Sequence, residues 1–286
     1  MTIEDAIRRA KILGQARLQR QDADRAVTME SPAPERAAPR GPREPSIKFD
    51  PLRQVEISLS ACEQYRVLLS DSQLREFPAV DAAYRLLRTR LANRAKRNDW
   101  FSLAVSSPTQ GDGKSLTSLN LAISAAREKQ KSIYLLDLDM RNPSVCKFLG
   151  ITDIRPLPDY FLGQARPEEV LVETSFPNLI VAGALVPSEG ASELLAGPRF
   201  SDLLSHIRLR TPDAFVIVDL PPVTVTDEAL LVGPRVDAFL IVVSEGKTDR
   251  KQFAQTMAAL SEFTIAGVVI NQSSETRTAG YEHYAA

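Results

Sequence analysis

The chain has 286 residues, 44% of them apolar and 25% charged, with a formal net charge of −1. That is ordinary globular composition, enough for one α/β domain of about 200 residues plus appendages. The charge balance gives no basis for nucleic-acid binding, and no apolar run is long enough to span a bilayer. The two cysteines, Cys62 and Cys146, form no Cys-x-x-Cys pair, which argues against zinc or iron–sulfur ligation and fits a reducing cytoplasm.

In chain order, Ile3, Ala6, Ile7, Ala10, Leu13 and Leu18 recur with helical period among arginines, predicting a short amphipathic helix within residues 1–25. Charges run through Met1–Arg20, so the apolar core of a secretory signal is missing. Two readings stand for this helix: docking on a partner or membrane surface, or a solvated, weakly ordered leader. Residues 26–52 hold Pro32, Pro34, Pro39, Pro42, Pro45 and Pro51 among charges and read as a flexible linker. The main domain then covers 53–271, with a flexible tail over 272–286. Within the domain, Val55–Leu59 reads as a short strand and Pro78–Lys96 as a helix carrying Val80, Ala83, Tyr84, Leu87 and Leu91 on one face.

Trp100–Val105 reads as a buried strand, and Leu116, Leu119, Asn120, Ile123 and Arg127 follow with helical spacing. Between them lies Ser106-Ser107-Pro108-Thr109-Gln110-Gly111-Asp112-Gly113-Lys114-Ser115, a phosphate-binding loop at a strand-to-helix turn. Gly111 and Gly113 allow a tight turn and close approach of backbone N–H groups to phosphate oxygens, and the helix N-terminus favours the negative charge. Lys114 is expected to reach the terminal phosphates and the Ser115 hydroxyl to hold magnesium. Pro108 stands where the usual motif begins with glycine. The nucleotide-binding set read here is Gly111, Asp112, Gly113, Lys114, Ser115 and Leu116, with Asn271 added because it follows the last strand where related folds often contact the base.

Downstream, helix and strand alternate. Ile133–Leu138, Asn178–Ala182, Ala214–Asp219, Ala238–Val243 and Ile265–Asn271 read as strands, most of them continuous apolar runs, so the expected fold is α/β with a mostly parallel sheet flanked by helices. Ligands then belong at the carboxyl ends of the strands. Two of those ends carry acids: Asp137, followed by Asp139 and Arg141, and Asp219 before Leu220-Pro221-Pro222. Magnesium takes oxygen ligands and keeps several waters, so one or two carboxylates beside a serine hydroxyl and two phosphates suit it.

The loop, the Leu-Leu-Asp-Leu-Asp-Met-Arg-Asn-Pro-Ser segment and the Val-Ile-Val-Asp-Leu-Pro-Pro segment together resemble the three Walker motifs of bacterial tyrosine kinases, the P-loop autokinases of exopolysaccharide and capsule synthesis. The resemblance covers residues 78–286 and implies a P-loop NTPase of the deviant-Walker type that uses ATP and magnesium. Carried over, Lys114 and Ser115 hold phosphate and metal, Asp137 is the candidate acceptor of the tyrosine proton, and Asp139 and Asp219 organise the metal. Arg141 steadies charge on phosphate.

In that family the substrate is a tyrosine cluster at the C-terminus of a neighbouring copy, and here Tyr281 and Tyr284 are the candidate phosphoacceptors. The ten residues from Asn271 to Tyr281 span at most about 35 Å, enough to reach an adjacent active site. Arg85 and Arg88 match the family's oligomerisation helix, but Ala82 stands in the place of its glutamate. Asp81 lies about 100° around the helix from that place, so homo-oligomerisation is expected while the ring itself stays open. The family also implies a membrane polysaccharide co-polymerase as activating partner, and so a cytoplasmic location at the inner face of the membrane. Two other classes stay open. A catalytically weak nucleotide-binding regulator of polysaccharide export would suit Ala82 and the short tyrosine tail. A partition-type switch ATPase would need a second lysine where Thr109 stands, and iron-protein carriers of the same superfamily would need paired cysteines.

Overall fold

The computed structural model describes residues 49–273. The expected leader helix, most of the linker, and Tyr281 and Tyr284 lie outside the described residues. By its contacts the chain divides at Asp50/Pro51, and the fold below is that of the second unit.

In chain order the elements are β1 (Arg53–Val55), α1 (Leu59–Gln64), α2 (Asp71–Glu76), α3 (Pro78–Asn98), β2 (Ser102–Ser106), α4 (Lys114–Ala126), β3 (Ile133–Asp137), α5 (Val145–Leu149), α6 (Leu157–Phe161) and α7 (Pro167–Val170). There follow β4 (Val172–Thr174), β5 (Leu179–Ala182), α8 (Ala191–Ala196), α9 (Arg199–Arg210), β6 (Phe215–Asp219), α10 (Glu228–Val232), β7 (Ala238–Ser244), α11 (Arg250–Ala259) and β8 (Ile265–Asn271). The strands form one sheet in the order β1-β4-β5-β3-β6-β2-β7-β8. All neighbours are parallel except β4 and β5.

Every residue of β2, β3, β5 and β7 is buried, so these strands are covered on both faces and are apolar except for Ser102, Ser106, Asp137 and Ser244 at their ends. Leu103, Leu135, Ile217 and Leu240 from four strands share one core with Leu119 and Ile123 of α4. The chain leaves β2 and crosses past β6 to reach β3, so the phosphate loop emerges where connections diverge to the two sides of the sheet.

Two expectations are corrected, and one strand is added. The strand expected at Val55–Leu59 is β1 at Arg53–Val55; Leu59 instead opens α1, where the Ser58 hydroxyl caps the helix by accepting the Ala61 N–H. The partner of β1, the three-residue β4, was not anticipated, because strands this short leave almost no alternating pattern. On α3 the inward stripe is Tyr84, Leu87, Leu91 and Ala95, whereas Val80 is 45% exposed, one turn before contact with the core begins, and Ala83 is exposed. Proline at its first position starts α3, and Asp99 ends it in the left-handed region, donating its N–H to the Ala95 carbonyl.

Candidate phosphate and metal site

The loop between β2 and α4 turns through Gly111 (φ 85°) and Gly113 (φ 90°), both in the left-handed region that favours glycine. A Cβ at Gly113 would also collide with the Asn271 side chain, whose Nδ2 donates to the Asp112 carbonyl at 2.9 Å. Asp112 faces inward, 1% exposed. Its Oδ2 accepts from the Thr109 N–H (2.8 Å) and hydroxyl (3.0 Å), and its Oδ1 accepts from the Thr248 hydroxyl at 2.8 Å. Thr248 in turn accepts the Ser244 N–H, which ties the loop to the end of β7. Gln272 Nε2 donates to the Gly111 carbonyl, and on the other side the Thr224 hydroxyl donates to the Pro108 carbonyl. With its carbonyls and one side chain held from both flanks, the loop presents the first turn of α4, whose N–H groups have no helical acceptors. Its N-cap, Gly113, supplies no side-chain cap either.

Three strand ends converge below. Lys114 is buried with its Nζ 2.6 Å from Asp139 Oδ2, 3.8 Å from Asp219 Oδ2 and 3.1 Å from the Ser115 hydroxyl. Burial alone works against the ammonium, but Asp219 and Asp139 outweigh it and the Lys114 pKa is raised. Asp219 is fully buried; its Oδ1 accepts from the Ser118 hydroxyl while Oδ2 has no hydrogen-bond partner. Its carboxyl is pushed upward by burial, against the pull of Lys114.

Asp137, also fully buried, closes the next turn. Its Oδ1 accepts the Asp139 N–H, and its Oδ2 accepts those of Ser144 and Val145. Burial, with Asp219 close by, raises its pKa to about 7 in spite of those N–H donors and Lys114. Gly183 makes room for this: a Cβ there would press on the Asp137 Cβ and Cys146 Sγ. Arg141 leaves the same turn with its side chain 58% exposed and its Nε 3.2 Å from Oε1 of the buried Glu228.

The structure therefore brings together Gly111, Asp112, Gly113, Lys114, Ser115, Asp137, Asp139, Asp219 and Asn271, with Arg141 at the rim. Leu116, in the first turn of α4, packs its side chain against the core, so its part in the nucleotide set would be played by its backbone N–H. Thr248, Gln272 and Glu228 were missed. Glu228 reads in the sequence as an acid in a helix first turn, and Thr248 as an ordinary turn residue. Arg85 pairs with Asp81 at 3.2 Å, and Arg88 with Glu128 at 2.7 Å and the Ser124 carbonyl, so within this chain both arginines already have acceptors.

The residues fit a magnesium–nucleotide complex. No group of three or more acidic, histidine or cysteine side chains suited to a metal occurs among the described residues. A buried carboxylate oxygen on Asp219 that has no hydrogen bond and faces only the Lys114 ammonium at 3.8 Å, with the Ser115 hydroxyl close to the same carboxyl, is the hard, incomplete oxygen set that magnesium would complete with phosphate and water. No helix among the described residues is long and apolar enough to cross a membrane.

Comparison with known proteins agrees with this geometry. A tyrosine-protein kinase CpsD of Streptococcus agalactiae is 29% identical over 74% of this chain and 90% of its own length. The kinase domain of the Escherichia coli tyrosine kinase ETK superposes with a TM-score of 0.62 at 26% identity, covering 70% of this chain and 80% of that one. The chimerical protein CapA2B2 has the same fold, with a TM-score of 0.64 at 20% identity over 78% of this chain and 94% of that one. A family model described as ParA, NUBPL iron-transfer P-loop NTPase, matches residues 101–284. A mostly parallel sheet, a phosphate loop at its switch point and a family match over most of the chain lead to one assignment: the chain belongs to the ParA family of P-loop NTPases.

Proposed function

We propose that this chain is an ATP- and magnesium-dependent protein tyrosine autokinase controlling exopolysaccharide synthesis or export, and that it phosphorylates Tyr281 and Tyr284 of a neighbouring copy. The observation that carries the reading is Lys114, buried between Asp139 and Asp219 at the mouths of β2, β3 and β6. All three named kinase motifs thereby meet at one point, in a chain whose relatives include tyrosine-protein kinases. The partition-type alternative loses support: Thr109 gives both its N–H and its hydroxyl to Asp112 within its own loop.

Phosphoryl transfer asks the protein mainly for positioning and charge stabilisation. Gly111, Asp112 and Gly113 hold the backbone in a phosphate cradle, and Asn271 and Thr248 fix that cradle from outside. Lys114 is placed to exchange Asp139 for a phosphate oxygen. Ser115, Asp139 and Asp219 are the groups that would hold magnesium, which supplies charge neutralisation at the transferring phosphate. Asp137 does two jobs: it shapes the turn carrying Asp139 and Arg141, and with a pKa near 7 it is a stronger proton acceptor than an ordinary carboxylate. Arg141 reaches from the rim toward the charge. Assembly as a homo-oligomer and activation by a membrane co-polymerase at the inner face of the membrane belong to the same proposal, as does the division into leader (1–25), linker (26–52), kinase domain (53–271) and tyrosine tail (272–286).

The test is mass spectrometry of the purified protein after incubation with ATP and magnesium. Phosphate on Tyr281 or Tyr284 in the parent, absent in Lys114→Met and in the Tyr281→Phe/Tyr284→Phe pair, is the expected result. Undiminished tyrosine labelling in Lys114→Met would refute the site.

A further inference from the structure

Glu228 belongs to none of the nucleotide motifs, yet it is wholly buried and makes one ion pair, from Oε1 to Arg141 Nε at 3.2 Å. Its Oε2 is buried without a partner. A buried carboxylate that is only half satisfied is costly to keep, and an apolar side chain of similar size would fill the same space without that cost. Its partner explains the choice. The backbone around Arg141 is already fixed: the Met140 carbonyl accepts the Ser188 N–H, and the Asn142 N–H bonds both the carbonyl and Oδ1 of Asp139. What remains free is the long Arg141 side chain. By taking Nε, Glu228 sets the plane of the guanidinium and leaves Nη1 and Nη2 without hydrogen bonds among the described residues, on a side chain 58% exposed.

We infer that Glu228 is a positioning residue: it orients Arg141 so that the two terminal nitrogens meet the transferring phosphate as a fork. This deepens the proposed function and rests on its assignment of Arg141 to that phosphate. A planar fork is effective only when its direction is fixed, because misplacement by about 1 Å at a reacting centre costs as much as a hundredfold in rate.

The experiment compares Glu228→Met, Glu228→Gln, Arg141→Ala and the Glu228→Met/Arg141→Ala double variant by ADP formation, tyrosine phosphorylation and thermal unfolding. A ¹⁵N spectrum of the arginine Nε–H groups accompanies them, with Arg141 assigned through Arg141→Lys. Glu228→Met is expected to lower turnover by about tenfold, to change the KM for ATP little, and to unfold at the parent temperature or above. Its fall in turnover should vanish in the Arg141→Ala background, and Glu228→Gln should lie between Glu228→Met and the parent. The parent should show a slowly exchanging Arg141 Nε–H that Glu228→Met loses. Equal falls in both backgrounds, unchanged turnover, or a fast-exchanging Arg141 Nε–H in the parent would each overturn the inference. If the parent forms ADP without phosphotyrosine, the tyrosine-kinase reading fails, and Glu228 is judged on ADP formation and the Nε–H resonance. With no ADP formed, the resonance alone decides.

Discussion

Lys114→Met tests the charge arrangement at the centre of the site independently of catalysis. In the parent, one buried ammonium lies 2.6 Å from Asp139 and 3.8 Å from Asp219, and Asp137 adds a third carboxyl nearby. Methionine fills similar space, so the main loss is the cation. Removing one partner of a buried pair costs about 3–5 kcal/mol, because the other charge is left uncompensated. For a domain of this size each kcal/mol moves Tm by about 2–4 °C, which gives a fall of about 10 °C near neutral pH. The sign of the pH dependence follows from the carboxyls. Without Lys114 the folded pKa values of Asp219 and Asp137, already raised by burial, rise further above the unfolded carboxylate value, and Asp137 stands at about 7 in the parent. A group whose folded pKa is raised contributes stability that is present at low pH and lost as pH rises through that value. The Lys114→Met deficit should therefore be large at pH 8 and shrink toward pH 5, as measured by circular dichroism melts of nucleotide-free protein. A deficit that is constant across this range, or that grows on acidification, would refute the account.

Three further substitutions probe the frame around that centre. Gly113→Ala should lower stability by at least about 2 kcal/mol, since alanine is strained at φ 90° and its Cβ displaces Asn271 from the Asp112 carbonyl; thermal melts and a fluorescent-nucleotide titration check it. Thr248→Val removes the donor to Asp112 Oδ1 at constant shape and should weaken nucleotide binding by about tenfold, at a cost of about 1–3 kcal/mol for the orphaned buried oxygen, while Thr248→Ser stays close to the parent. Asn120→Leu should cost about 1–3 kcal/mol in urea unfolding, because the buried Asn120 Oδ1 accepts the Leu68 N–H at 2.8 Å and leucine leaves that donor unpaired.

What could be read from the chain follows the range of the interactions involved. The central strands announce themselves because burial on both faces demands unbroken apolar runs such as Leu103-Ala104-Val105 and Phe239-Leu240-Ile241-Val242. Gly113 and Lys114 are legible because phosphate binding fixes residue type at adjacent positions. Thr248 reaches Asp112 across 136 residues and Gln272 reaches Gly111 across 161, and a bond between single positions so far apart imprints no period. Glu228 is hidden for a related reason: an acid opening a helix has a sufficient local explanation, and only its burial against Arg141 shows another. The short β1 and β4 pair at the sheet edge, where three residues each give no alternation to detect.

The Lys114 contacts also connect stability with chemistry. In this structure the lysine occupies the place a cation would fill, neutralising Asp139 and Asp219 from within the chain. A hard divalent ion arriving alone must compete with that ammonium for the same oxygens, and magnesium sheds its water reluctantly. A phosphate group drawing Lys114 away would remove that competitor and supply further oxygen ligands. On the proposed function, Asp139 and Asp219, which make the nucleotide-free protein dependent on Lys114, would favour metal and nucleotide entering together, so that the charge stabilising phosphoryl transfer would be assembled when both are present.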